Sequence, residues 1–264
     1  MFYALAHGRI PTHGFEFEHV LRDIETLNQW ALAGQLHVTA ISVHGYAYVA
    51  DRYAILPHGA SMGDGYGPLL VATQPCKAAE LQAKRIAVPG LRTSAYLALR
   101  LFLPEFDAEV LPFDQIMDAV EAGQVDAGLL IHEGQLTHAQ HGLHPVADLG
   151  AWWKERTGLP LPLGVNVIRK DLGATTIARV SDILYESIRY GLAHRRQALD
   201  YALEYGRGVH RTLADRFVGM YVNHWTQDMG DAGRESIWRF LREGHAAGVL
   251  PFLPDAEFVP KPGG

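Results

Sequence analysis

Apolar positions set a regular beat in the middle of the chain. Residues 85–89 form a short apolar run and predict a strand, and 93–103 carry helical spacing. The same pair repeats as strand 108–112 with helix 113–122, then as strand 125–131 with a short helix over 134–141. This order predicts a small parallel sheet covered by helices. Upstream, 15–18 alternates like a half-buried strand, and Asp23 can cap a helix over 24–33 that Gly34 stops. A strand over 36–42, a helix-like 46–53, a glycine-rich loop over 59–65 and a strand over 68–72 follow. Downstream, 161–168 returns as a strand, and 175–247 is nearly all helix. Its breaks fall at Gly206-Arg207-Gly208 and Gln227-Asp228-Met229-Gly230. Ile177, Val180, Ile183, Leu184 and Ile188 keep a helical period, as do Leu213, Phe217, Met220 and Tyr221. The tail, 254–264, is expected to be poorly ordered.

These elements predict an α/β lobe inserted into a larger one. The smaller lobe spans 74–167, and the larger is made of 1–73 and 168–264. The strands 68–72 and 161–168 cross between them, one going out and one coming back. Two lobes with two crossovers enclose a cleft that can close on a ligand. Residues 2–6 read as the end of a helix stopped by Gly8. An open sheet of this type normally begins with a strand, so the chain reads as starting inside its first unit.

Bulk properties narrow the function classes. The chain has 264 residues, is 48% hydrophobic and 20% charged, and carries a net charge of −6. That is enough chain for two full cores. A mildly acidic protein whose longest basic pair is Arg195-Arg196 is a poor nucleic-acid binder. Cys76 is the single cysteine, which excludes an internal disulfide and multi-thiolate zinc. Residues 1–9 do not resemble a secretory signal, and no apolar run reaches the ~20 residues a membrane span needs. The expectation is a soluble, cytoplasmic protein that handles a small molecule, without a membrane or nucleic-acid partner.

The foremost candidate for chemistry is His132, where the run Val125-Asp126-Ala127-Gly128-Leu129-Leu130-Ile131 breaks off on a histidine and a glutamate. Ligands of open α/β sheets sit at the carboxyl ends of strands, and a histidine exchanges its proton near neutral pH. His132 is thus a general base or acid, or else a hydrogen-bonded histidine on the sheet rim. Glu133 would face the opposite side in extended chain, and so would not orient it. Pro89-Gly90-Leu91-Arg92-Thr93-Ser94-Ala95 joins a strand to a helix. Its free amides and two hydroxyls suit a carboxylate or oxyanion, and equally suit simple capping. Thr39-Ala40-Ile41-Ser42-Val43-His44 is a strand exit in the other lobe, where Ser42 would face Thr93 and Ser94 across the cleft. Gly63-Asp64-Gly65-Tyr66-Gly67-Pro68 precedes a strand rather than a helix, so it is read as a flexible loop and not a nucleotide fingerprint. His132, His138, His141 and His144 are close in sequence but match no metal-binding pattern, and solvated histidines are the preferred reading. Cys76 lies in a polar linker. Trp152-Trp153, Trp225 and Trp238 are read as packing residues.

Several segments resemble the 1,4-dihydroxy-6-naphthoate synthase family of the futalosine route to menaquinone. They are Gly128-Leu129-Leu130-Ile131-His132-Glu133, Pro89-Gly90 with Thr93-Ser94-Ala95, and Asp23-Ile24-Glu25-Thr26-Leu27-Asn28. The most specific is Asp148-Leu149-Gly150-Ala151-Trp152-Trp153 followed by Thr157-Gly158-Leu159-Pro160-Leu161-Pro162-Leu163-Gly164. The similarity covers nearly the whole chain. It implies the two-lobed fold of periplasmic solute-binding proteins, type II, with two parallel or mixed sheets flanked by helices. It also implies a cytoplasmic lyase that uses no cofactor and converts cyclic dehypoxanthinylfutalosine to 1,4-dihydroxy-6-naphthoate. The family's catalytic histidine falls on His132. Its substrate-holding strand exit falls on Ala40, Ile41 and Ser42, and its helix-start contacts on Thr93, Ser94 and Ala95. Ser94 stands where threonine is more usual, and the hydroxyl is kept. The family's opening strand and its Ser-Pro-Cys-Pro-Asn-Asp-Thr loop have no counterpart here, so Met1 is expected to be an internal residue of the protein as made. Chorismate dehydratase, a sibling of the same fold, and a non-catalytic solute-binding protein are the alternative readings.

Overall fold

In the computed structural model, which describes residues 1–205 and 210–261, the strands assemble into two sheets. The first sheet holds β1 (Val38–Ser42), β2 (Tyr53–Ile55), β3 (Ser61–Gly63) and β9 (Leu161–Arg169). All three early strands pair antiparallel with β9, β1 in a register running from Val38 opposite Ile168 to Ser42 opposite Gly164. The second sheet has the order β6 (Asp107–Val110), β5 (Arg85–Val88), β7 (Ala127–Leu130), β4 (Leu69–Ala72), β8 (His144–Asp148). Here β5 runs parallel to β6 and β7, while β4 runs antiparallel to both β7 and β8.

The helices are α1 (Tyr3–Ala6), α2 (Ile24–Leu32), α3 (Val43–Tyr46), α4 (Ser94–Phe102), α5 (Ile116–Glu121), α6 (Gly134–Thr137) and α7 (Leu149–Thr157). The C-terminal part adds α8 (Ala174–Ala193), α9 (Arg195–Leu203), α10 (Arg211–Tyr221), α11 (His224–Gln227) and α12 (Gly230–Ala246). The chain changes sheet between 63 and 69, and again between 148 and 161. The lobe limits expected at 74 and 167 each fall one strand later than these changes.

Several local expectations need correction. The three strands expected to lie parallel, β5, β6 and β7, do so, and the second sheet as a whole is mixed because β4 enters from the first sheet against the direction of β7. Its edge strand β8 is additional to the expected elements. Residues 15–18 form no strand; Phe15 and Phe17 pack beside Ala54, Leu56 and Ile168 without ladder bonds. Helix begins at Val43, directly after β1, rather than at 46. The glycine-rich loop contains β3. Residues 254–261 are packed rather than loose: Ile55 N–H donates to Glu257 O, Val259 N–H donates to Ile55 O, and Val259 is buried. The break expected at 206–208 lies outside the described residues.

One apolar cluster runs through both sheets, joining Ile41 and Val165 of the first to Leu70, Ile86 and Leu129 of the second. Helix α7 sits at this junction. Asp148 caps it, accepting from the amides of Gly150 at 2.9 Å and Ala151 at 3.0 Å. A Cβ on Gly150 would lie 1.9 Å from the Tyr66 carbonyl oxygen, so glycine is what lets the 64–67 loop rest on the helix. Trp153 is fully buried, its ring edge-on to Phe240 at 5.3 Å, and its indole N–H donates to Ser236 Oγ at 3.3 Å. Among the described residues, no helix is long and apolar enough to cross a membrane.

Two buried histidines set an acid limit to stability. Burial pushes both His44 and His58 from 6.5 down to about 4. The unfolded chain then binds more protons than the folded one between pH 6.5 and about 4. Stability is therefore full above pH 6.5, falls as pH drops through that window, and levels off below it. Each group is worth up to roughly 3 kcal/mol. Urea unfolding at pH 7 and pH 5 should show this fall, and His58→Gln should lose part of it; an equal slope in the variant would clear His58 of the effect.

Candidate active site

A cavity of about 240 Å³ opens between the two sheets. One wall comes from β1 and its neighbours. Ser42, at the end of β1, borders the cavity with Ser61, Leu163 and Gly164. Asn28 on α2 holds Ser42 from behind: the Ser42 amide donates to Asn28 Oδ1 at 2.9 Å, and Asn28 Nδ2 donates to Ser42 Oγ at 3.2 Å. Strand alternation turns Ile41 to the opposite face, into the core. Ala40 faces a different cavity, of about 280 Å³, lined also by Phe2, Phe17 and Asn166. Of the strand exit expected at 40–42, Ser42 alone reaches the cleft cavity.

The opposite wall begins with α4. Thr93 is its cap: the hydroxyl accepts from Tyr96 N–H at 3.1 Å and donates to Gly90 O at 2.8 Å. That hydroxyl is fully used by the backbone. Ser94 Oγ accepts from the His44 amide at 3.3 Å and keeps its own proton to donate. The amides of Ser94 and Ala95, at the first two helical positions, have no intrahelical partner. Both residues line the cavity with Thr93. The neutral His44 ring ties this helix start to the first sheet, with Nδ1 bonded to Thr93 O at 3.2 Å. Thr93 caps the helix, and Thr93, Ser94 and Ala95 all line the cavity.

His132 borders the same space from the exit of β7. The strand stops at Leu130, and His132 lies in a turn with φ of 58°. A residue other than glycine in this left-handed region is uncommon and strained, a condition that clusters at functional sites. The turn also overrides the expected in-and-out alternation of His132 and Glu133. The ring of His132 packs on Phe113 at 4.4 Å and on Phe217 at 6.2 Å.

Gln135, Phe217 and Tyr221 are among the lining residues that the sequence did not mark as contacts. Phe217 and Tyr221 carry helical spacing that reads as core, yet no residue of α10 is buried, and these two rings face the cavity. Gln135, three residues after His132, accepts from the Tyr221 hydroxyl at 2.6 Å. Burial raises the Tyr221 pKa, so the phenol stays protonated.

Other candidates fall elsewhere. The four histidines do not converge: His138 Nδ1 bonds Gln135 O, and His144 lies on edge strand β8. Among the described residues, the group within metal-ligand reach is Asp118, Glu121 and His141, all exposed. Burial and then the charge of Glu80 raise the Cys76 pKa, which disfavours a thiolate. Trp152 and Trp153 pack as expected, and neither lines the cavity.

Two sheets with a cavity between them at strand and helix ends have the periplasmic-binding-protein-like fold. A Candida albicans protein described as having the generic periplasmic binding protein fold matches with a TM-score of 0.68 at 16% identity, over 95% of this chain and 86% of its own. The crystal structure of protein AF1704 from Archaeoglobus fulgidus matches with a TM-score of 0.88 and 45% identity, over 94% of this chain and 93% of its own. The family model for menaquinone biosynthesis matches residues 1–246, and the chain belongs to that family. Two relatives are named 1,4-dihydroxy-6-naphthoate synthase. The one from Thermus thermophilus is 42% identical over 98% of this chain and 94% of its own length; that from Streptomyces coelicolor is 37% identical over the same shares.

Proposed function

We propose that this chain is a 1,4-dihydroxy-6-naphthoate synthase, a cytoplasmic carbon–carbon lyase acting on cyclic dehypoxanthinylfutalosine without a cofactor, with His132 as the general base. The observation that carries this reading is the make-up of the cavity. Among the described residues that line it there is no carboxylate, lysine or arginine, and His132 is the side chain that can take a proton near neutral pH. The Ser94 and Ala95 amides and the Ser94 and Ser42 hydroxyls suit the substrate's carboxylate, which the partial positive charge of a helix start favours. Phe217 and Tyr221, which line the cavity, suit the flat ring system that forms. Aromatisation supplies driving force, so the protein's share is positioning and proton removal. A division into two lobes whose closure excludes water is part of the same reading.

Incubation with the cyclic futalosine and, separately, with chorismate tests it. The dihydroxynaphthoate is expected from the first and no dehydration product from the second. Conversion of chorismate alone would assign the sibling activity, and tight binding of the cyclic futalosine without turnover would assign a solute-binding role.

A further inference from the structure

We infer that Gln135 is a catalytic residue of this cavity, a neutral hydrogen-bond donor to the substrate oxygen on which negative charge develops, and that Tyr221 is the positioning residue that orients it. The inference rests on the synthase reading.

Gln135 is 9% exposed and lines the cavity together with His132 and Tyr221. A glutamine side chain can present either its oxygen or its nitrogen to a ligand. Here the oxygen is engaged: the Tyr221 hydroxyl donates to Oε1 at 2.6 Å, the length of a good O–H···O bond. Tyr221 is itself held in place. Its ring lies edge-on to Tyr66 at 5.6 Å, and the Tyr66 hydroxyl donates to the carbonyl of Met220, the residue before Tyr221. Asn223 Nδ2 donates to that same carbonyl at 2.7 Å. With Tyr221 holding Oε1, both N–H donors on Nε2 stay available to a ligand.

A donor beside the base is what the chemistry needs. When His132 removes a carbon-bound proton next to a ring ketone, the C–H bond breaks and an N–H bond forms on the imidazole. The C–H electron pair becomes a ring double bond, and the carbonyl π pair moves onto oxygen as an enolate. The His132 imidazolium returns the proton to that oxygen, completing a ring hydroxyl; this step is a tautomerisation, distinct from the carbon–carbon cleavage, and consumes no oxidant or reductant. A preorganised neutral donor stabilises the enolate without competing for the proton. A carboxylate at 135 would repel it.

Steady-state kinetics of Gln135→Leu, Gln135→Glu, Tyr221→Phe and the double variant Gln135→Leu/Tyr221→Phe tests this, with thermal unfolding to establish that each is folded and fluorescence titration with the dihydroxynaphthoate to follow binding. Loss of one such donor typically lowers kcat by about 10²-fold. Gln135→Leu and Gln135→Glu should each lose on the order of that factor in kcat, with KM within a few-fold. Tyr221→Phe keeps the ring and frees the amide, and should lose roughly ten-fold in kcat. The double variant should be no worse than Gln135→Leu, because Tyr221 acts through Gln135. Full turnover by folded Gln135→Leu, with His132→Asn inactive, would overturn this inference and leave the synthase reading intact. Additive losses in the double variant would overturn the role of Tyr221. No product from the unaltered protein would overturn the synthase reading and this inference with it.

Discussion

Replacing His132 by asparagine is expected to lower turnover by roughly 10²- to 10⁴-fold while leaving the fold and most of the ligand affinity in place. Asparagine is the right probe for a backbone reason. His132 sits at φ of 58°, a region in which asparagine is several-fold enriched, so the turn should survive the exchange. The amide also fills part of the space between Phe113 and Phe217. What it cannot do is accept a proton at neutral pH. The variant should therefore bind the dihydroxynaphthoate within a few-fold of the parent by titration, and unfold at a similar temperature. Near-normal turnover would remove His132 as the base. Lost binding together with lost turnover would point instead to a role in holding the ligand.

The largest stability effect is expected at Trp153. Trp153→Ala should cost about 3–5 kcal/mol, the usual range for deleting a buried aromatic. The side chain is fully buried at the junction of the two sheets. Its removal opens a cavity against Phe240 and takes the indole N–H from the Ser236 hydroxyl, which keeps its donation to Pro160 O. Denaturant unfolding measures the loss. Trp153→Phe keeps the edge-on contact and should recover more than half of it. A cost below about 1 kcal/mol for Trp153→Ala would show that the neighbourhood collapses into the space.

How much of this could be read in advance depended on what each residue's neighbours were. The run 127–130 was legible because all four residues are buried on both faces of the sheet, which leaves an unbroken apolar stretch. Edge strand β8 was not, because it is half exposed, reads His-Pro-Val-Ala-Asp, and has no apolar alternation. β3 is three residues long and ends on a glycine, so its composition speaks for a loop. Phe15 and Phe17 alternate like strand residues because any extended segment lying on a core does so, with or without a ladder. The site divides the same way. His132 stood out as a titratable group ending an apolar run, and Thr93-Ser94 as hydroxyls at a helix start. Ala40 and Ile41 were carried along with Ser42, though alternation and depth along β1 send each to a different place. Phe217 and Tyr221 were hidden because periodicity marks an apolar helix face without saying whether protein or an open cavity lies against it. Gln135 owes its orientation to Tyr221, 86 residues away.

The central place of β9 in the first sheet has a consequence for the order in which the molecule can form. Every strand of the second sheet lies between 69 and 148, so that sheet is complete in sequence before β9 exists. The first sheet has no such independence. Among the named strands, β1, β2 and β3 pair only with β9, across more than 90 residues, and Ile55 of β2 bridges to Phe258 still further downstream, so closing long loops must precede any of these ladder bonds. During synthesis from the N-terminus, the His132 side of the cavity can fold while residues 38–63 still lack a partner. Ser42 is fixed against Ser94 only once β9 emerges and stitches the early strands together, and Phe217 and Tyr221 of α10 join the wall later still, which makes assembly of the cavity a late event in folding.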